Sequence, residues 1–129
     1  MRQIFKAGDV KEHKTIVKEV DVARFHGSVV HPVCSTFALA REVEWTTRQF
    51  VLEMKDVDEE GIGTYLQISH LGPAFVGEEI AIRGTFNALT GTELICSFEA
   101  RVGKRIIATG KTGQKILKLD KIRSIFRHG

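Results

Sequence analysis

Glu44 and His70 are polar residues among apolar positions of this 129-residue sequence, and Thr36 opens the helix that carries Glu44, so all three raise the question of chemistry. The stretch "TFALAREVEW", residues 36–45, reads as the start of a helix. At about 100° per residue, Leu39, Val43, Phe50 and Met54 form one stripe, with Ala40, Thr47 and Val51 beside it. Glu44 stands at the edge of that stripe. His70 shares a strand face with Thr64, Leu66 and Ile68, since strand side chains alternate. A carboxylate held near apolar surface is a candidate general base, and an imidazole passes protons near neutral pH. Each residue also has a plainer use. Thr36 or Ser35 can cap the helix, Glu44 can reach solvent from the boundary, and His70 can be a half-buried histidine satisfied by backbone.

The elements that must position these groups follow from periodicity. "TIVKEVDV" (15–22) is rich in β-branched residues and predicts a first strand; "ARFHGSVVHPVCS" predicts a connection broken by Gly27 and Pro32. The helix from residue 36 has a second apolar side at Ala38, Trp45 and Leu52, more than a plain surface helix needs. After a turn over 56–61, strands are expected over 64–70, 79–89, 93–102 and 105–117. Their inward faces include Ile80, Ile82, Phe86 and Ala88 on the second, and Leu94, Cys96, Phe98, Ala100 and Val102 on the third. The segment "LDKIRSIFRHG" predicts a short terminal helix or tail over 119–129, following a core of about 13–118. Strand, long helix, then four strands on short turns is an α+β order: an antiparallel sheet curled around one helix, in a single domain.

Composition removes several classes. The cationic excess is 19 Lys and Arg against 16 acids, too small and dispersed for a nucleic-acid protein. No apolar run approaches the roughly 18–20 residues of a membrane span. The five histidines are scattered and no metal-ligand spacing occurs, so no metal site is expected. Cys34 and Cys96 are read as free structural thiols in a reducing cytoplasm. Eight cations from Lys104 to Arg127 make the last quarter basic, which suits either a solvated face or contact with phosphates.

The segments "STFALAREVEW", "GIGTYLQISHLGPAFVG" and "GTELICSFEARVGKRIIATG" resemble the fluoroacetyl-CoA thioesterase-like family of hotdog proteins over roughly residues 15–117. The matching pattern is Thr36 at the helix start, Glu44 eight residues on, the Gly63–Thr64 pair, His70 at the strand end and the "GPAFVG" turn. The resemblance implies a hotdog fold, a homodimer with pairing into tetramers left open, and hydrolysis of a small or medium acyl-CoA. It implies Thr36, Glu44 and His70 as catalytic residues and Gly63 as backbone near the reacting carbonyl. Coenzyme A would be part of the substrate, with no separate cofactor. Relatives commonly carry His and Arg where this chain has Thr112 and Gln114. The loop "HGSVVHPVC" also lacks the Phe-rich character of the fluoroacetyl-specific enzyme, so fluoroacetate resistance is not the expected role. The alternative from another class is a non-catalytic acyl-CoA-binding hotdog protein. A hotdog dehydratase is disfavoured by the lack of its Asp–His spacing.

Overall fold

The computed structural model describes residues 1–128, apart from the side chains of Phe25, Val30 and His128. The chain runs β1 (Val10–Ile16), a 3-10 turn (Glu19–Asp21), β2 (Val22–Phe25), β3 (Ser28–Cys34) and α1 (Thr36–Met54). It continues through β4 (Glu59–His70), β5 (Glu79–Thr90), β6 (Glu93–Val102), β7 (Arg105–Lys118) and α2 (Leu119–His128). Five strands form one sheet in the order β1-β5-β6-β7-β4, every neighbouring pair antiparallel. Helix α1 packs against all five. This is the hotdog arrangement: a sheet wrapped around one long helix.

Burial follows the helical period. Leu39, Val43, Phe50, Val51 and Met54 are fully buried on α1. The core divides along the helix into two clusters. Near the helix start, Leu39 and Val43 meet Val17, Ile80, Ile82, Ala100 and Ile107. Near its end, Phe50, Val51 and Met54 meet Phe86, Leu94 and Ile116, with Met1 and Phe5 against them. Of the second apolar side, Ala38 is buried, while Trp45 and Leu52 stay exposed. Gly61 lets β4 approach α1, since a Cβ there would lie 2.8 Å from Val51 Cγ1.

Five expectations need correction. The first strand lies at Val10–Ile16, overlapping the predicted stretch only at Thr15 and Ile16, and residues 19–21 form a 3-10 turn instead. The stretch read as a connection is a β-hairpin, turned by His26 and Gly27, both at positive φ as its two-residue turn requires. In β4 the ladder slips at Thr64: Gly63 pairs with Gln114 and Tyr65 with Gly113. The bulge takes Thr64 out of the row of Leu66, Ile68 and His70, and its hydroxyl donates to Glu93. A second bulge in β5, between Phe86 and Ala88, exposes Ala88 and turns Leu89 toward the core in its place. In α2 the predicted apolar side is only partly used: Ile122 is buried, while Ile125 and Phe126 are exposed. Among the described residues no helix is long and apolar enough to cross a membrane.

Candidate active site

The start of α1 is fixed from three sides. Ser35 is the N-cap, its hydroxyl accepting from the Ala38 N–H at 3.0 Å. The Ser35 N–H donates to Asp21 O at 2.8 Å, and the Cys34 N–H to Ala74 O at 2.8 Å. Arg41 reaches back from the next turn to the buried Asp21 carboxylate at 3.1 Å. Because Ser35 takes the capping role, the hydroxyl of Thr36 is free for another partner. That partner is His70: Thr36 Oγ1 and His70 Nδ1 are 2.9 Å apart. Half-buried at the end of β4, His70 is held by pairing with Ala108 of β7. The pair opens on a cleft of about 310 Å³ walled by Ala23, His31, Val33, Leu71 and Pro73.

Glu44 lies elsewhere. Eight residues of helix separate it from Thr36, a rise of about 12 Å. It is exposed, on a second cleft of about 400 Å³ that it shares with Arg48, Gly63, Tyr65, Leu66 and Gln114. Under this cleft Thr47 Oγ1 accepts from Thr112 Oγ1 at 2.9 Å and from Gln114 Nε2 at 3.2 Å. Within one chain, then, Thr36 meets His70 and Glu44 meets Gly63, and the two pairs stand in different clefts. A third cleft, about 350 Å³, lies over β1, β5 and β6, but its charges pair off: Arg83 with Glu12, Arg101 with Glu99.

The basic C-terminal quarter does not form one patch. Lys118 pairs with Asp58 and Arg123 with Asp120, away from the Thr36 cleft. Arg105 is tied to its rim, donating to Pro73 O. Sequence reasoning passed over His31, Leu71 and Arg48 as cleft residues. In sequence, strand β3, which carries His31, resembles a loop, and Arg48 resembles the other charges of the helix.

Both thiols are buried and free. Burial raises the Cys34 pKa to about 11, and burial raises that of Cys96 to about 12. Ellman's reagent at pH 8 is therefore expected to label neither thiol in the folded protein and both after denaturation. The sign at high pH follows. Unfolded thiols ionise near their ordinary value of 9.0 while the folded ones stay protonated, so stability is lost as pH rises above that value.

Residues 17–120 match the family model described as fluoroacetyl-CoA-specific thioesterase, FlK. The chain belongs to the FlK family. The matched span contains Thr36, Glu44, Gly63 and His70. Among solved structures, a hypothetical protein of Thermus thermophilus described as a thioesterase superfamily member is 29% identical. Its TM-score is 0.93, over 99% of this chain and 94% of that one. A single-site variant of FlK itself superposes with a TM-score of 0.89 at 16% identity, over 98% of both chains. A hot-dog-like protein from Thermanaerovibrio acidaminovorans gives 0.86 at 18% identity, over 97% of this chain and 94% of that one. No curated protein matches the sequence. FlK-family membership makes this chain a relative of thioesterases on a hotdog fold; which thioester it takes is a separate question.

Proposed function

We propose that the protein is a cytoplasmic homodimer that hydrolyses a small or medium acyl-CoA thioester, in sites shared between its two copies. The observation that carries this reading is the Thr36 hydroxyl 2.9 Å from His70 Nδ1 at a helix N-terminus. That is a nucleophile and a base in hydrogen-bond contact, beside backbone N–H groups that lack helical partners.

Dimerisation is supported by the two sheet edges, which differ. Strand β1 carries Lys11, Glu12, His13 and Lys14, charges that discourage edge pairing. Strand β4 is twelve residues long and carries no charge from Gly61 to Ser69. Its middle, Gly63 to Gln67, is exposed. On α1, Trp45 and Leu52 are likewise exposed. Such an edge is a template for another strand. When two copies of β4 pair antiparallel about their exposed middles, the His70 end of one faces the Gly61–Gly63 end of the other. The partner's Glu44 cleft then lies next to Thr36 and His70. The 12 Å rise along one helix is thereby bridged by a second.

The chemistry follows. Thr36 Oγ attacks the thioester carbon as His70 takes its proton, and N–H groups at the helix start stabilise the oxyanion. The C–S bond breaks, and His70 returns the proton to the coenzyme A thiolate. Glu44 across the interface takes a proton from water, which attacks the Thr36 ester; the bond from the acyl carbon to Thr36 Oγ breaks, that proton passes by way of His70 to Thr36 Oγ, and the acid is freed. The test is a panel of acyl-CoAs given to wild type and to Glu44→Gln. Wild type is expected to turn over. The variant is expected to release about one coenzyme A per site and to hold the acyl group on the Thr36 peptide, seen by mass spectrometry. Turnover without any adduct overturns the covalent route. A thioester that raises the melting temperature but releases no thiol overturns catalysis in favour of the non-catalytic binder.

A further inference from the structure

Gln114 is only 9% exposed, yet it lines the cleft that holds Glu44. Its contacts fix how its amide faces. Thr47 Oγ1 has one proton, and that proton is directed to Glu44 O at 3.4 Å. Toward its other neighbours the Thr47 oxygen can only accept, and it does so from Thr112 Oγ1 at 2.9 Å and Gln114 Nε2 at 3.2 Å. The amide therefore turns its nitrogen to Thr47 and its oxygen the other way. Among the described residues Gln114 Oε1 has no partner, and no side-chain nitrogen or oxygen is buried without one, so this oxygen opens on the cleft. The second N–H of the same amide is likewise free of Thr47. A fixed acceptor and donor thus stand side by side in the floor beneath Glu44.

We infer that Gln114 selects the acyl group: the preferred thioester carries an uncharged hydrogen-bonding substituent, such as a hydroxyl, close to the thioester carbon. The inference rests on the thioesterase reading above and names the substrate class of that site. A carboxylate substituent is disfavoured because Glu44 faces the same space, and the nearby Arg48 guanidinium is engaged by Glu60 at 3.0 Å. The acyl end lies here, and not the pantetheine arm, because Gln114 is buried in the floor of the cleft beside Glu44, the group that acts on the acyl carbon in the reading above. An unsubstituted acyl group in this place leaves a polar pair desolvated and unanswered, which costs about a factor of ten in rate constant per lost hydrogen bond.

The test compares kcat/KM for hydroxyacetyl-CoA and acetyl-CoA, and for 3-hydroxypropanoyl-CoA and propanoyl-CoA. Wild type and Gln114→Met are used, the variant keeping chain length while leaving Thr112 to serve Thr47. Wild type is expected to favour at least one hydroxylated member by about tenfold or more, and the variant to bring that ratio close to one. The wild-type ratios stand as a test even if the variant fails to fold. Turnover with wild-type ratios near one overturns the inference and leaves the thioesterase reading intact. An equal loss on all four substrates in Gln114→Met overturns it in favour of a pantetheine contact. Absence of turnover on every acyl-CoA overturns both.

Discussion

Glu44→Ala and His70→Ala each lower kcat for acyl-CoA hydrolysis by about 10²–10⁴, the usual worth of a positioned acid or base. At about 1.36 kcal/mol per decade this is a loss of about 3–5 kcal/mol of transition-state stabilisation. For Glu44 the loss comes with almost no change in folding stability. The side chain is exposed and makes no hydrogen bond or ion pair among the described residues, so truncating it falls within about 0.5 kcal/mol of neutral. His70→Ala removes the bond to Thr36 as well, and a small fall in melting temperature is expected with it. Steady-state thiol release and thermal melts on the same samples separate the two quantities. A Glu44→Ala protein with wild-type kcat would make that carboxylate an ordinary solvated helix charge.

The largest expected effect on stability is at the other end of the helix. Phe50 is fully buried, with its ring edge-on to Phe5 at 4.9 Å and to Phe86 at 5.7 Å. Phe50→Ala removes those contacts and leaves a cavity that the sheet cannot collapse into, at a cost of about 3–5 kcal/mol. Denaturant melts monitored by circular dichroism measure it. Because Phe50 belongs to a different cluster from the one packed around Leu39 and Ala38, the fraction that stays folded is expected to keep its kcat. A cost under about 1 kcal/mol would mean that this cluster is loosely packed.

How far the sequence spoke for itself depended on whether side-chain period and burial agreed. On α1 they agree: Leu39, Val43, Phe50 and Met54 are the buried residues, so the helix was legible. Strand β6 was legible for the same reason, in the alternating burial of Leu94, Cys96, Phe98 and Ala100. Strand β1 was not. Its inward positions include His13 and Thr15, which answer Glu42 on the helix at 3.1 and 3.5 Å, so no apolar alternation marks it. The β2–β3 hairpin is short, and Pro32 and Gly27 resemble a loop when the pairing is unseen. Bulges at Thr64 and beyond Phe86 changed faces that strict alternation assigned.

The site was legible in its parts and not in its assembly. Thr36 and His70 are 34 positions apart, and their contact depends on β4 returning along the helix to its start. That Glu44 stands away from both is helix geometry, yet two residues sharing its cleft, Thr112 and Gln114, come from β7, the strand paired with β4, where only strand register places them. A single chain leaves the two halves of the constellation in separate clefts. In the dimer proposed above, a second copy unites them.

Mixing two inactive variants measures that union most directly. Glu44→Ala and His70→Ala chains, carrying different affinity tags, are co-expressed, and the heterodimer is isolated through both tags. If each site takes Glu44 from one copy and Thr36 with His70 from the other, the heterodimer holds one intact site and one doubly defective site. It is then expected to recover about half of the wild-type rate per dimer, far above either parent. If it stays as inactive as its parents, no site is shared across the β4 edge, and Glu44 does not act with Thr36 and His70 in the way proposed.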